Sequence, residues 1–406
     1  MSSRNHSASP PVNSRQYTNS ERYINSKRYI TRSKSFVKKK PVKKSYFDYS
    51  LLFLIIFMLA FGLLMLYSTS SYNAAIEFGS STYYLRKQLQ ATILGLIVMF
   101  VVANVNYRKF VWTGVIGYIV SIIMIFLVLS PLGYEANGAR RWINVAGISV
   151  QPAEVAKISL ILLLAVVISN NRQNIRKISI TAKIFALCIP MAGSILIITK
   201  NMSSALIIVG IAFVMLFIAS PKYSHYIILG IAGVTVVVVY LFTGSGFRSE
   251  RVAAWLDPES YAQGKGYQTL QSLYAIGSGG LTGKGLGQSV QKLGYVPEAQ
   301  NDMVFSIICE ELGLFGGIAV ILLFLLMIWR FMIIANNAED LYGSMIVIGV
   351  MAHISIQVIL NIAVVTNVIP NTGITLPFIS YGGTSVVLLL AEMGLVLSVS
   401  KRIKLE

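Results

Sequence analysis

Three carboxylates lie close together at the start of one hydrophobic stretch, between Tyr295 and Gly313. Asp302 comes directly before the apolar run, and Glu310 and Glu311 lie about two helical turns inside it. A carboxylate inside an apolar span costs about 3 kcal/mol on insertion scales, so such residues tend to face the protein interior and serve a function. We therefore predict that this stretch enters a membrane and that Asp302, at its mouth, is catalytic.

A group of basic residues precedes and enters another apolar stretch. Arg140 and Arg141 lie in a short polar segment, and Pro152 then suits the first turn of a helix in which Glu154 and Lys157 share one face. One interpretation is a structural salt bridge between Glu154 and Lys157. The other is a cationic cluster of the two arginines and Lys157 at the outer membrane surface. Such a cluster would suit a lipid-linked pyrophosphate, because arginine and lysine bind phosphate oxygens well.

The segment 244–302 is a long polar connection that contains Lys292 and Glu298. Loops of this length usually have a function, so we expect it to cover or line a groove. Its apolar spacing around Leu270 predicts a helix at the membrane interface. The glycine-rich run 279–287 contains Lys284 but lacks the spacing of a nucleotide-binding loop, which favours a re-entrant turn over a phosphate site.

Polar residues also interrupt the hydrophobic stretches near the C-terminus. His353, Gln357 and Asn361 repeat every four residues along one predicted helix face, where hydrogen bonding between helices is the expected role. The segments 371–377 and 380–385 break the following apolar run with small polar residues. Broken helices at membrane depth are tolerated where they line a cavity walled by protein.

The composition is that of an integral membrane protein with all-α architecture. Hydrophobic residues make up 55% of the chain and charged residues 12%. A span needs about 20 apolar residues. Ten stretches qualify: 50–68, 88–105, 111–130, 153–169, 181–199, 203–220, 223–243, 303–329, 341–366 and 377–400.

The distribution of Lys and Arg predicts the orientation of these spans. When ten spans are threaded, the basic short loops all fall on one side, which is the cytoplasmic side by the positive-inside rule. Both termini are then cytoplasmic, while the segments 131–152 and 244–302 are extracellular. The long extracellular loop connects the seventh and eighth spans, and residues 49–406 form one ten-helix domain.

Residues 1–48 differ from the rest of the chain. They contain twelve Lys and Arg against two acids, which gives a net charge of about +10 out of the chain's +18. With few aliphatic residues this tail cannot bury a core, so we expect it to be disordered. It is either a solvated anchor attracted to anionic lipid or a docking site for a cytoplasmic partner. Nucleic-acid binding is not favoured, because the tail is tethered to a membrane.

The sequence requires no cofactor. Cys188 and Cys309 lie in predicted spans without disulfide or metal spacing, and the three histidines are scattered. No nucleotide-binding fingerprint or nucleophile elbow is present. We therefore assign no metal ligands, although a divalent cation (Mg or Mn) on a pyrophosphate substrate would be compatible with the sequence.

Six motifs together resemble the SEDS proteins (shape, elongation, division and sporulation), the family of FtsW, RodA and SpoVE. They run in family order and extend over the chain from about residue 50 to 400. The motif pair Gln291-Lys-Leu and Pro297-Glu-Ala is more typical of the division and sporulation branch than of the elongation branch. The matching strings are Asn137-Gly-Ala-Arg-Arg-Trp-Ile143, Gln151-Pro-Ala-Glu-Val-Ala-Lys157, Gln271-Ser-Leu-Tyr-Ala-Ile276, Gly285-Leu-Gly-Gln-Ser289, Pro297 to Gly313 and Leu376-Pro-Phe-Ile-Ser-Tyr-Gly-Gly383.

The resemblance implies a ten-span peptidoglycan glycosyltransferase that polymerises lipid II at the outer face of the bacterial cytoplasmic membrane and releases undecaprenyl pyrophosphate. It places the essential acid on Asp302, and it also carries over four residues that we assign to the substrate site: Arg140, Arg141, Glu154 and Lys157. Four more complete that set: Lys292, Glu298, Ser380 and Tyr381. The chain departs from the family at Asn201, which stands where an acid is usual, so Asn201 is left out of the site.

The predicted reaction is an inverting displacement in which Asp302 acts as general base on a sugar hydroxyl. The resemblance further implies a class B penicillin-binding protein as partner, docked near the eighth and ninth spans, and contacts with other divisome membrane proteins. Two alternatives differ in class. A lipid II flippase would use Glu310, Glu311, Glu392 and His353 as a polar path, and a non-catalytic division scaffold would tolerate loss of Asp302.

Overall fold

The computed structural model describes residues 45–136, 139–145, 147–220, 226–231, 233, 235, 247–264 and 266–404. Helices dominate this part of the chain. They are α1 (Tyr49–Phe78), α2 (Tyr83–Asn104), α3 (Val111–Leu127), α4 (Pro152–Asn170), α5 (Ile178–Ala186), α6 (Cys188–Ile198), α7 (Met202–Ala219), α8 (Phe247–Leu256), α9 (Tyr267–Gly279), α10 (Val304–Asn336), α11 (Leu341–Val365) and α12 (Gly383–Ser400). The strands are β1 (Ser45–Tyr46), β2 (Gly133–Ala136), β3 (Ala139–Val145), β4 (Ile148–Val150) and β5 (Ile403–Lys404).

Among the described residues, nine helical segments are long and apolar enough to cross a membrane. They confirm an integral membrane protein of mostly helical structure and match nine of the ten predicted spans. The helices α5 and α6 together form one of these segments, Ile178–Ile198. The remaining predicted span, 223–243, lies largely outside the described residues, as does the predicted tail up to residue 44.

The two ends of the described chain meet in a short antiparallel pair, with Ser45 opposite Lys404. Ends that pair lie on the same side of the membrane, so the chain between them crosses an even number of times. The nine segments of the described residues are an odd number, so the pairing favours ten spans, which stays a prediction. Next to this pair, Arg330 binds the buried Asp48 at 2.6 Å, and Asp48 also caps α1 through the Leu51 N–H at 2.9 Å.

Several predicted span boundaries were wrong, including the end of the eighth span, which is residue 336 rather than 329, and two others show what hydropathy misses. The first span continues to Phe78, ten residues beyond the predicted end, because polar residues such as Ser68 are buried by partners in other helices rather than ending the helix. The last span begins at Gly383 rather than at residue 377, since residues 376–382 are irregular and Phe378 has a φ of 65°. Hydropathy cannot distinguish either case.

Helix α10 is interrupted at Gly313, whose φ of 70° breaks the helical hydrogen bonding. The glycine-rich segment 279–287 packs against this break and replaces the missing bonds: Gly285 N–H donates to the Glu311 carbonyl at 2.9 Å, and Leu314 N–H donates to Gly280 at 2.9 Å. A Cβ atom on Gly283 would lie 2.2 Å from the Glu311 carbonyl oxygen. The glycines are therefore needed for close backbone contact, which agrees with a re-entrant turn.

The segment 131–152, which the sequence predicts to be extracellular, contains a three-stranded antiparallel sheet in the order β2–β3–β4. The all-α prediction did not include it, because its strands have at most seven residues and no clear hydrophobic alternation. In β3, Arg140 is opposite Glu135, and Ile143 is opposite Val150. Successive side chains of a strand point to opposite faces. This sheet consequently separates Arg140 from Arg141.

Candidate functional site

Asp302 lies immediately before α10 and is only 8% exposed. Its side-chain Oδ1 accepts a hydrogen bond from Gln268 Nε2 of α9 at 3.4 Å. Its main-chain carbonyl accepts another from Asn361 Nδ2 of α11 at 2.8 Å. Helix α9 therefore holds the carboxylate of Asp302 and α11 holds its main chain. The other carboxylate oxygen, Oδ2, lies beside Gly373, where an added Cβ would be 3.7 Å away.

The pKa of Asp302 is raised from its ordinary value to about 7. Burial is the main cause, since it disfavours the ionised form, and the negative charge of Glu298 adds to the shift. The hydrogen bond from Gln268 lowers the pKa but does not offset burial. A carboxyl group with a pKa near neutrality is suited to accept and release a proton under physiological conditions.

The irregular segment between α11 and α12 forms one wall of the site. Asn361 donates to the Ile374 carbonyl at 2.6 Å as well as to Asp302, so one amide joins this segment to the acid. Ser380 Oγ donates to the Asn301 carbonyl at 2.5 Å, and the Tyr381 N–H donates to the Gln300 carbonyl at 2.9 Å. The structure thus brings Ser380 and Tyr381 to the segment that carries Asp302, where they position its backbone.

Lys157 and Glu154 form a buried ion pair, with Nζ and Oε1 2.8 Å apart and Lys157 1% exposed. Lys157 Nζ also lies 3.4 Å from Gln357 Oε1, and His353 connects Gln357 to Glu392 with contacts of 2.9 and 2.8 Å. These side chains make a polar chain through α4, α11 and α12. Of the two interpretations of the sequence, the structure shows the salt bridge.

The two arginines have different surroundings. Arg140 is exposed, whereas Arg141 is partly buried and donates from Nη2 to the Lys200 carbonyl at 3.4 Å. Burial lowers the pKa of Arg141, and the positive charge of Arg251 lowers it further. Asn201, the departure from the family pattern, caps α7 by accepting from the Ser204 N–H at 3.1 Å. Asparagine and aspartate are equally good caps, so this local role does not require an acid.

The structure places Lys292 and Glu298 at different depths. Lys292 is 6% exposed and contacts Glu311 Oε1 at 2.8 Å and Ser68 Oγ at 2.9 Å, so it joins the loop to α1 and α10. Glu298 accepts a hydrogen bond from Asn301 Nδ2, and its charge acts on Asp302. Only Glu298 of these two residues is near the candidate base.

A cavity of about 290 Å³ lies beside Asp302 and shares Gln268 with it. Its wall combines a cation, two aromatic rings and two amides: Arg251, Trp255, Tyr267, Gln268 and Asn371. Asn371 Nδ2 donates to Gln268 Oε1 at 2.8 Å, which fixes the amide that contacts the acid. Sequence reasoning did not assign Gln268, Asn361 or Arg251 to the site, although it did identify 371–377 as a break.

No group of three or more His, Cys, Asp or Glu residues suited to hold a metal ion occurs in the described part of the chain. The acids of α10 each have a lysine partner: Lys284 Nζ is 2.8 Å from Glu310, and Lys292 Nζ is 2.8 Å from Glu311. A divalent cation bound together with a pyrophosphate substrate remains a prediction.

Comparison with known proteins identifies close similarities along nearly the whole membrane part. The pattern of the family described as "Cell cycle protein" (FtsW/RodA/SpoVE) matches residues 49–405. Stage V sporulation protein E of Bacillus subtilis is 38% identical over 361 residues, which cover 88% of this chain and 98% of that protein. A probable peptidoglycan glycosyltransferase FtsW of Trichlorobacter lovleyi is 36% identical, with 91% and 97% covered.

Two solved structures share the fold. A chain from a study of polymerisation and crosslinking by a peptidoglycan synthase complex superposes with a TM-score of 0.73 and 27% identity, covering 89% of this chain and 99% of that one. The rod shape determining protein RodA of Thermus thermophilus gives a TM-score of 0.66 and 26% identity, with 89% and 98% covered.

Proposed function

The chain belongs to the FtsW/RodA/SpoVE family, and on that basis we propose that it is a peptidoglycan glycosyltransferase that polymerises lipid II. The observation that carries the proposal is the buried Asp302, whose pKa of about 7 and position beside a polar cavity suit a general base. One relative is named a probable peptidoglycan glycosyltransferase FtsW, at 36% identity, and another is named Stage V sporulation protein E, at 38% identity. We therefore propose a role in division or sporulation.

The proposed reaction joins two lipid-linked sugars. Asp302 accepts the proton of a sugar hydroxyl while the hydroxyl oxygen forms a bond to the anomeric carbon of the second substrate. The bond from that carbon to the pyrophosphate oxygen breaks, and undecaprenyl pyrophosphate leaves with the electron pair. Attack opposite the leaving group inverts the anomeric configuration. Asp302 then releases its proton to solvent, and nearby positive charge stabilises the departing anion.

We propose that the site faces the cell exterior and that both termini are cytoplasmic. The excess of Lys and Arg on the opposite side supports this orientation. The β1–β5 pairing supports only the part of this proposal that puts both ends of the described chain on the same side. We also propose a class B penicillin-binding protein as partner, and the similarity to a chain of a peptidoglycan synthase complex supports this assignment.

The flippase alternative has less support in the structure. Its polar path would use Glu310, Glu311, Glu392 and His353, but each of these acids is already held by a basic or histidine partner within 2.8 Å.

A direct test is incubation of the purified protein with labelled lipid II, with and without a class B penicillin-binding protein, followed by separation of glycan chains on a gel. Glycan formation is expected, and its absence with every partner tested would contradict the proposal.

The rate of polymerisation should depend on pH through Asp302. Because its pKa is raised to about 7, the carboxyl is protonated at lower pH and cannot accept the hydroxyl proton. We expect the initial rate to rise about tenfold per pH unit up to about pH 7 and then level off. Glu298→Gln removes a charge that raises this pKa, so the rising limb should move to lower pH. A limb that stays in place in Glu298→Gln would contradict the assignment.

The basic tail should be dispensable for the chemistry. Its charge lies on the side opposite to the proposed site, and a basic disordered tail binds lipid or a partner rather than a sugar across the bilayer. Deleting residues 1–40 keeps Lys43 and Lys44 to orient the first span. The truncated protein should polymerise lipid II in detergent at the rate of the full-length protein. In cells, its localisation can change or its abundance can decrease. A truncated protein that inserts correctly but makes no glycan would refute this.

A further inference from the structure

We propose that Arg251 and Arg141 together bind a phosphate group beside the Asp302 cavity, and that Arg251, rather than Lys157, is the second cation of this site. The assignment of that phosphate to the glycosyl donor rests on the proposed function. The existence of an anion site does not.

The two arginines lie on different elements and contact two neighbouring segments of the chain. Arg251, on α8, donates from Nη1 to the Asn371 carbonyl at 3.5 Å. Arg141, on β3, donates from Nη2 to the Lys200 carbonyl at 3.4 Å. Both hydrogen bonds are long, so each of these two carbonyl contacts is weak.

A further contact joins the two carbonyl partners. Ser203 follows Lys200 by three residues, and its Oγ donates to the carbonyl of Thr372, the neighbour of Asn371, at 2.8 Å. The turn at 371–372 therefore lies between the segment that Arg141 contacts and the helix that carries Arg251. The two side chains come close enough that the charge of Arg251 lowers the pKa of Arg141.

The cluster contains buried polar atoms without a partner. Arg141 Nε and Thr372 Oγ1 have no hydrogen-bond partner among the described residues. Buried polar groups are usually paired, because an unpaired donor loses its hydration without compensation. A phosphate oxygen would accept from both groups and would also relieve the repulsion between the two arginines.

The position relative to Asp302 fits a glycosyl phosphate. Three successive hydrogen bonds lead from Arg251 to the acid, through Asn371 and Gln268, with lengths of 3.5, 2.8 and 3.4 Å. In a glycosyl phosphate a single oxygen joins the phosphorus to the anomeric carbon. The phosphate must therefore lie no farther from Asp302 than the width of one sugar ring. Trp255 lines the same cavity and offers an aromatic surface to such a ring.

Lys157 does not compete for this role. It is 1% exposed and already binds Glu154 at 2.8 Å, so a phosphate could reach it only by breaking a buried ion pair. Arg251 is exposed and lines the cavity wall, where a phosphate can reach it from solvent. Arg140 is exposed as well, but it lies on the opposite face of β3 from Arg141.

The test measures binding of inorganic pyrophosphate to the purified full-length protein in detergent by isothermal titration calorimetry. Arg251→Lys keeps the charge but removes the planar pair of donors. We expect it to weaken pyrophosphate binding at least about tenfold, the size of one lost hydrogen bond to a charged group. Arg86→Lys is the matched control, since Arg86 is an exposed arginine at the start of α2, and its binding should equal that of the wild type.

If Arg251→Lys and Arg251→Gln both bind pyrophosphate as tightly as the wild type, the proposal is overturned. If Arg251→Gln is unstable in a melting experiment, Arg251→Lys decides the result alone. Displacement of pyrophosphate by undecaprenyl pyrophosphate but not by phosphatidylglycerol micelles is the expected outcome. Equal displacement by phosphatidylglycerol would show a general headgroup site and overturn the assignment to the donor.

The lipid II gel separates this inference from the proposed function. If the wild-type protein makes glycan and Arg251→Lys binds pyrophosphate as tightly as the wild type, the anion site alone is refuted. A protein that makes no glycan but loses pyrophosphate binding in Arg251→Lys would keep the anion site and refute the glycosyltransferase.

Discussion

Asp302→Asn is expected to lower the rate of lipid II polymerisation by a factor of about 10² to 10⁴, the usual contribution of a general base. Asparagine keeps the size of the side chain and can still accept the hydrogen bond from Gln268 Nε2. It cannot accept a proton at neutral pH. The loss should therefore appear in the turnover rate measured on the glycan gel rather than in substrate affinity, and Asp302→Ala should be as inactive.

The stability of the same variant provides an independent measurement. The pKa of Asp302 is raised on folding, so the ionised carboxylate destabilises the folded state, an effect absent at acid pH and complete above about pH 7. Asp302→Asn removes that charge and should melt no lower than the wild type at pH 8. A variant that is inactive because it is misfolded would instead melt lower.

Asp257→Asn is the matched control. Asp257 belongs to the same segment between spans, but it is exposed and accepts a hydrogen bond from Ser260 Oγ at 2.6 Å, and neither residue lines the cavity. Its replacement should leave polymerisation unchanged.

More than about a tenth of wild-type glycan synthesis by Asp302→Asn would be too much for an enzyme that lacks its general base, and it would exclude this role for Asp302.

Much of the membrane fold could be predicted from the sequence because its main determinant is local. Apolar stretches of sufficient length predicted nine spans that the structure contains, and the polar break at 371–377 was correctly placed between two of them. The ends of spans were less accurate. The stretch around Ser68 looks like a helix end in sequence, but Lys292 and Glu311 bury this serine within α1.

The composition of the site depended on tertiary contacts that a sequence does not show. Arg140 and Arg141 are adjacent in sequence, yet the strand places them on opposite faces. Gln268 and Asn371 are about a hundred residues apart, and only the packing of α9 against the irregular segment brings them to Asp302. The position of Asp302 directly before α10 was predictable, because the apolar run begins just after it, and its catalytic role stays a prediction.

Lys292→Met is the substitution with the largest expected effect on stability. Lys292 Nζ and Glu311 Oε1 are 2.8 Å apart, and Glu311 is fully buried. Glu311 Oε1 also accepts from Ser68 Oγ at 2.6 Å, while its Oε2 has no partner among the described residues. Methionine fills the space of the lysine stem but leaves this carboxylate unpaired. Removing one partner of a buried ion pair costs about 3 to 5 kcal/mol, so the melting temperature in detergent should fall strongly.

The neighbouring pair on α10 provides the matched comparison for this prediction. Lys284 Nζ also lies 2.8 Å from a buried acid, Glu310, but the Lys284 side chain is 34% exposed. Glu310 keeps other donors, including Ser289 Oγ and the Val290 N–H, so Lys284→Met should lower the melting temperature less. The double variant Lys292→Met/Glu311→Gln removes both charges and should recover part of the loss of the single variant. If the double variant is no more stable than Lys292→Met, the lysine stabilises the loop by packing rather than by pairing with Glu311.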